Sequence, residues 1–247
     1  MRISEIRAKA REILTGKWGR AALVILLQSA ILYLANLVGG FTGGLLSIAI
    51  FICTIPIEFG LAMVFMKLRR GENFEYTDFF KLGFNNFGRS WGIYGHTLLK
   101  LLPWLIVYIV SIFILIFGTV MMLVSIQFES DVVTIMGISM LGISIIALII
   151  SAIFLIVKEY LYSLSIFIAI DNPEMSTKDS VARSAELMKG RRGKFFGLEL
   201  SFIGWAILTV LTFGIGTFWL TPYIYISKIV FYEDAIGKKE EPKVITE

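Results

Sequence analysis

Six stretches of mostly apolar side chains run through the chain, separated by short polar or charged segments. They cover residues 21–38, 45–66, 101–126, 132–157, 195–213 and 215–232. A helix needs about 20 apolar residues to cross a hydrocarbon core about 30 Å thick. The pattern therefore predicts an all-α fold, a polytopic bundle of six transmembrane helices.

The connections within each pair of stretches are short. Residues 39–44 are mostly glycine, residues 127–131 join the second pair, and Gly214-Ile215-Gly216 divides the third. Since backbone polar groups in lipid must be satisfied within the helices, each pair is predicted to form a hairpin. Two points stay open: the last two spans are short enough to be re-entrant, and Lys158-Glu159 interrupts a helix that either tilts or turns along the inner surface.

Basic residues mark one side of this arrangement. All 23 Lys and Arg residues lie in segments 1–20, 67–100, 158–194 and 228–247, and none lies in the three opposite turns. Cationic loops stay in the cytoplasm. The chain is therefore predicted to be a multi-pass protein of the plasma membrane with both termini cytoplasmic.

An internal repeat accompanies the hairpins. Residues 12–20 align without gaps on residues 186–194, with the shared pattern Glu, two apolar residues, Gly, basic, Gly, basic. A fainter copy at 79–89 needs an insertion. The predicted units are 1–66, 74–157 and 174–236, within a single membrane domain 1–247 that ends in a charged cytoplasmic tail, 237–247.

Each unit is predicted to begin with a short amphipathic helix on the cytoplasmic surface. Ile3, Ile6, Ala10 and Ile13 share one face of the first such helix. Gly16 and Gly190 occupy the position after a helix where a positive φ is favoured, and Ser176 with Asp179 resembles a helix-starting capping box. We interpret these helices as anchors for the spans in preference to lipid sensors.

The basic residues after each helix are predicted to contact anionic lipid headgroups on the cytoplasmic face. Membrane lipids are therefore the expected partners, together with a membrane-protein partner or a second copy of the chain, and nucleic acid is not expected. The expected headgroup contacts are Lys17, Arg20, Arg89, Arg191, Arg192 and Lys194.

Composition removes several classes of chemistry. Hydrophobic residues make up 57% of the 247 residues and charged residues 17%, which argues against a water-soluble globular fold. The chain has one cysteine, Cys53, and one histidine, His96, so multi-histidine or cysteine-ligated metal sites are excluded. Phosphate-loop, dinucleotide-binding and hydrolase motifs do not occur. We expect no cofactor, no metal and no enzymatic activity.

Glu58 is the main candidate for function, because it lies near the middle of the second span, where a carboxylate is costly unless it is paired, hydrated or protonated. Pro56 frees the carbonyl of Ile52 and favours a kink, a combination typical of transport sites. The alternative is a glutamate that fixes helix packing, with Lys100, Lys158 or Lys228 as an ionic partner.

Four other polar residues are candidates for a role in packing or function. Glu199 near the inner boundary is expected to be structural and could pair with Lys228. Gln28 and Asn36 on the first span are interpreted as interhelical hydrogen-bond donors. His96 would serve a lipid-directed enzyme only together with Glu199 and Lys194, a weak combination.

The ends of the chain resemble a known family. The residues that carry the likeness are Ile3-Ser4-Glu5-Ile6-Arg7 and Leu14-Thr15-Gly16-Lys17-Trp18-Gly19, then Ser184 to Gly190, Leu200 to Trp205, Gly214-Ile215-Gly216 and Pro222-Tyr223. They resemble an uncharacterised family of bacterial integral membrane proteins, domain of unknown function nine-seven-five. The resemblance implies a six-helix plasma-membrane protein and carries over no catalytic residue or ligand.

Two functions follow as hypotheses. The first is a non-enzymatic structural, accessory or regulatory component of the cell envelope, which the absent catalytic motifs favour. The alternative is a transporter of a small solute or lipid that uses Glu58 as an intramembrane carboxylate.

Overall fold

The computed structural model describes residues 1–41 and 45–237. It is 85% helix, and the described residues include no strand. Residues 42–44 of the predicted glycine turn and residues 238–247 of the predicted tail lie outside the described part. The helices are α1 (Ile3–Leu14), α2 (Trp18–Phe41), α3 (Leu45–Arg70), α4 (Asp78–Asn85), α5 (Phe87–Phe128), α6 (Asp131–Tyr162), α7 (Ser165–Asp171), α8 (Thr177–Leu187), α9 (Arg192–Leu200), α10 (Ile203–Leu211) and α11 (Thr217–Ala235).

The helices divide into two compact units. One contains Met1–Tyr94 and Ser163–Glu247, and we call it the terminal unit. The other is Gly95–Tyr162, the middle unit. Helix α5 begins in the terminal unit and continues into the middle one.

Helix α11 is central to the terminal unit, where α1, α2, α3 and α10 all pack against it. The α-amino group of Met1 lies 2.8 Å from Asp234 Oδ1, and Arg11 reaches the hydroxyl of Tyr223. Helix α1 therefore runs antiparallel to α11 along its length. Its buried face is Ile6, Ala10 and Leu14, each fully inaccessible.

Helices α3 and α4 approach each other through two glycines. A Cβ atom on Gly60 would lie 2.7 Å from the backbone nitrogen of Gly83, and one on Gly83 would lie 2.7 Å from the carbonyl carbon of Pro56. Ordinary contact begins near 3.4 Å. Only glycine at both positions allows the two backbones to come this close.

The middle unit is built from the long helices α5 and α6, which run antiparallel. Trp104 stacks on Phe154 with ring centroids 4.0 Å apart, and Gly118 faces Gly137 further along. Small residues at a helix contact are typical of packing in lipid. The outward faces remain apolar and exposed, as at Phe113 and Ile126.

In the part of the chain that the structure describes, five helical segments are long and apolar enough to cross a membrane. They are Trp18–Gly40, Leu46–Arg70, Phe87–Phe128, Asp131–Asp171 and Arg192–Leu211. The sixth predicted span falls on α11, which is not among the five because it carries three tyrosines and several charged residues. Much of α11 is buried by neighbouring helices, and its polar side chains have partners there.

Several local predictions can be compared with the structure. Gly16 and Gly190 both have φ +75°, and Ser176 caps α8 by accepting from the Asp179 amide, so these expectations are confirmed. Gly39 and Gly40 were expected in a turn but lie in α2. Lys158-Glu159 does not break α6, which continues to Tyr162 before a turn leads into α7.

Candidate functional site

Glu58 joins three helices of the terminal unit. Its Oε1 accepts a hydrogen bond from Gln28 Nε2 on α2 at 2.8 Å, and its Oε2 accepts one from the Tyr225 hydroxyl on α11 at 2.8 Å. Gln28 is 6% exposed. Within the described residues no Lys or Arg forms an ion pair with Glu58. Both carboxylate oxygens are therefore held by neutral donors.

Packing fixes the orientation of the Tyr225 donor. The ring of Tyr225 stacks on Phe65, with centroids 5.0 Å apart and planes 19° from parallel. Phe65 is fully buried on α3, two turns beyond Glu58. The ring stack on Phe65 and the hydrogen bond to Glu58 both hold the Tyr225 side chain against α3.

Lys228 does not reach Glu58. Its Nζ lies 2.8 Å from Glu199 Oε1, so the pairing of Glu199 with Lys228 that the sequence left open is confirmed. Lys228 also lies over the ring of Phe195, 5.6 Å from its centroid. This ion pair joins α9 to α11.

Pro56 has the expected effect on the hydrogen bonds of α3. A proline cannot donate to the carbonyl four residues earlier, which is that of Ile52. The indole Nε1 of Trp91, on α5, donates to that oxygen instead at 3.2 Å. Trp91 thus replaces the missing backbone donor and ties the start of α5 to α3.

One end of the terminal unit carries a charged cluster, formed by ion pairs between the ends of several helices. Arg69 Nη2 lies 2.9 Å from Glu233 Oε2, and Lys67 pairs more loosely with Asp78 at 3.4 Å. The further members are Arg70 with Asp171, to which the Tyr232 hydroxyl also donates, and Lys194 with Asp234.

Asp234 receives two cations, Lys194 Nζ at 2.7 Å and the Met1 amino group at 2.8 Å. Partial burial would raise the pKa of Asp234, but the hydrogen bonds from these cations lower it below its ordinary value. The carboxylate is thus held ionised between α1, α9 and the end of α11.

Most of the basic residues predicted to contact lipid headgroups make protein contacts. Arg89 donates to the backbone carbonyls of Ala169, Asn172 and Pro173 around the end of α7. Lys17, Arg20 and Arg191 each donate to one backbone carbonyl, of Leu68, Phe74 and Leu187 respectively. Arg20 and Arg191 nevertheless remain exposed and Arg192 half-buried. Their role toward lipid stays a prediction.

The structure confirms one of the other polar candidates and contradicts another. Gln28 is an interhelical donor, as predicted. The prediction for Asn36 is wrong, because its amide donates to the carbonyl of Leu32 in its own helix at 2.8 Å. His96 lies in the middle unit, while Glu199 and Lys194 belong to separate ion pairs of the terminal unit.

Sequence reasoning missed the partners that matter most. Tyr225 was not singled out as a donor to Glu58, and Asp171 and Asp234 were not recognised as counter-ions of the basic segments. A tyrosine within an apolar stretch, with its hydroxyl in need of a partner, was the available signal for Tyr225. The two aspartates carried no comparable pattern.

These features define the class of the protein. It is an all-helical protein with several helices that are long and apolar enough for a membrane, and a carboxylate bridges three helices of one unit. A family model described as "Protein of unknown function (DUF975)" matches residues 1–239, and the chain belongs to that family. Comparisons with curated proteins and with solved structures gave no match.

Proposed function

We propose that the chain is an integral protein of the bacterial plasma membrane with six spans arranged as three hairpins. Five apolar helical segments support this. The sixth span falls on α11, whose charged and hydroxyl groups pair with other helices. A polar span is tolerated where the bundle, not lipid, surrounds it. In this proposal a short amphipathic helix precedes each hairpin, and the first of them, α1, packs against α11 between Tyr223 and Asp234.

Both termini face the cytoplasm in this proposal. The charged cluster supports it, because basic residues in the last turn of α3 and the first turn of α9 meet the end of α11 there. Matching φ angles at Gly16 and Gly190 likewise support a repeated unit of helix, glycine and span.

Labelling with a membrane-impermeant maleimide tests the orientation. In a Cys53→Ser background, we expect Ser130→Cys to react in intact cells, because it lies in the outer turn after α5. Asn85→Cys and Arg191→Cys should react only after permeabilisation. Labelling of either cytoplasmic position from outside the intact cell would overturn the topology.

We propose a non-enzymatic role, as a structural, accessory or regulatory component of the cell envelope. One observation carries this proposal: both oxygens of Glu58 are occupied by side chains from two other helices. A carboxylate used in this way stabilises a fixed arrangement of α2, α3 and α11. The outer surface of that arrangement is then available for other membrane components.

Purification from native membranes in a mild detergent tests the role. We expect a stoichiometric partner protein with the wild-type chain and also with Glu58→Gln. The Gln28 amide can turn so that the substituted side chain keeps both hydrogen bonds. Absence of any partner from both preparations would contradict the accessory role.

A transporter is the second candidate, favoured by the combination of Glu58, its purely neutral donors and the proline two residues before it. Proteoliposomes distinguish the two functions, with Glu129→Gln in the turn after α5 as the matched control. Proton- or ion-coupled flux that Glu58→Gln abolishes and Glu129→Gln preserves would establish transport and overturn the structural role.

A further inference from the structure

Two arginines of α1 converge on one tyrosine. Arg7 Nε and Arg11 Nη1 both donate to the Tyr223 hydroxyl, at 3.2 and 2.7 Å, and that hydroxyl in turn faces the Arg7 carbonyl at 3.4 Å. The guanidinium of Arg7 also lies over Phe202, 5.2 Å from the ring centroid. All of these partners are neutral.

Among residues 1–41 and 45–237, these two charges have no counter-ion. Within the described residues, neither arginine forms an ion pair. By contrast, each cation of the charged cluster and Lys228 has a carboxylate partner. Like charges held this close repel each other, and the repulsion grows where water is scarce. Arg11 is exposed and retains unused N–H donors. The pair therefore favours an anionic group from outside the chain.

An apolar groove begins at Arg11. It has a volume of about 370 Å³ and lies between the start of α2 and the hairpin of α10 and α11. Nearly all of its surface is apolar, which is typical of sites that take a hydrocarbon ligand. Its main walls are Trp18, Trp205, Leu208, Trp219 and Leu220.

We propose that this groove is a binding site for an anionic phospholipid, with the headgroup phosphate at Arg7 and Arg11 and an acyl chain along the tryptophans. The two arginines favour an anionic group, and the adjoining groove favours a hydrocarbon chain. An acidic phospholipid carries both in one molecule. Pockets between helices that combine basic side chains with apolar walls hold acidic lipids in this way. The site rests on the proposed membrane location.

Fluorescence quenching by brominated lipid tests the site, because three of the five tryptophans line the groove. The purified chain is placed in phosphatidylcholine vesicles that contain a small fraction of brominated lipid, either phosphatidylglycerol or phosphatidylcholine. We expect brominated phosphatidylglycerol to quench more strongly at equal mole fraction. Quenching by brominated phosphatidylcholine alone tests membrane insertion, so failure of the membrane proposal is distinguishable from failure of the site.

Variants test whether the preference for phosphatidylglycerol depends on Arg7 and Arg11. Arg7→Gln with Arg11→Gln should weaken the apparent affinity for phosphatidylglycerol about 25-fold, since each cation near an acidic lipid contributes about fivefold. The charge-matched control, Lys9→Gln on the same helix together with Arg2→Gln at its N-cap, should retain the preference. Arg11→Gln alone, at an exposed position, should lose about fivefold and serves if the double variant fails to fold.

Three results would overturn the proposal. The first is equal quenching by the two brominated lipids in the wild-type chain. The second is an equal loss of preference in the control pair, which would indicate general surface charge. The third is abolition of the preference by glycerol 3-phosphate at the concentration of the lipid, which would indicate a free-phosphate site without a role for the groove.

Discussion

Gly60→Ala should separate α3 from α4. The added Cβ would lie 2.7 Å from the backbone nitrogen of Gly83 and 2.8 Å from the carbonyl carbon of Phe79, against about 3.4 Å for ordinary contact. Both neighbours are backbone atoms, so no side-chain rotation relieves the overlap. The carbonyl oxygen of Phe79 would be closer still, so helix α4 must move outward by more than about 0.7 Å, and Phe79, which is fully buried, moves with it.

The expected loss of stability follows from three contributions. Alanine gains about 1 kcal/mol over glycine from helix propensity. Overpacking costs about 1–3 kcal/mol or more, and partial exposure of Phe79 costs up to about 3 kcal/mol. Because the overlaps are with backbone atoms, we take the upper value for overpacking, about 3 kcal/mol. The net loss is then about 2–5 kcal/mol, which corresponds to a melting temperature of the order of 10 °C lower for a chain of this size.

Thermal unfolding of the purified protein in detergent, followed by the loss of the monodisperse gel-filtration peak, measures this shift. Gly95→Ala is the matched control, because Gly95 is also helical and a Cβ there meets nothing within 4 Å. It should leave the melting temperature unchanged or raise it slightly. A Gly60→Ala protein that melts with the wild type would show that α3 and α4 do not pack through this glycine contact.

Three further predictions concern the site and the charged cluster. Glu58→Leu leaves the buried Gln28 amide without an acceptor and should cost about 1–3 kcal/mol of stability, whereas Glu58→Gln should melt within a few degrees of the wild type; equal melting of all three proteins would contradict the bridge. Trp91→Phe removes the donor to the carbonyl that Pro56 leaves free and should cost about 1 kcal/mol, a loss that should vanish in a Pro56→Ala background, as a double-mutant cycle would measure. Asp234, beyond the proposed span 215–232, has a lowered pKa, so its contribution to stability is present above its ordinary pKa of 3.8 and is lost as pH falls through the folded-state value. Asp234→Asn should therefore flatten the acid side of the stability profile, and an unchanged profile would remove Asp234 from the charged cluster.

Local chemistry explains which features could be predicted from the sequence. Gly16 and Gly190 follow short helices whose last turn favours a residue with positive φ, and both have it. Pro56 removes a backbone donor wherever α3 packs, so a free Ile52 carbonyl was predictable. Neither conclusion depends on another part of the chain.

The partners of the site could not be predicted in this way. Glu58 meets Tyr225, 167 positions away, only because α3 and α11 lie side by side, and periodicity contains no information about which helices do so. For the same reason the sequence could not choose among Lys100, Lys158 and Lys228 as partners of Glu58; no ion pair joins any of them to Glu58 among the described residues, and Lys228 pairs with Glu199 on α9. The hydrogen bond of Asn36 to its own helix likewise depends on which neighbour lies beside that face.

By itself the sequence determined the helical class, the apolar segments and the separation of basic connections from connections without Lys or Arg. These depend on the cost of placing backbone and charge in hydrocarbon, which each segment bears independently. Tertiary structure alone decided that α1 runs along α11, that Arg7 and Arg11 meet at Tyr223, and that neutral donors hold Glu58. Those contacts arise from the packing of helices that are distant in sequence, so they depend on which helices lie side by side.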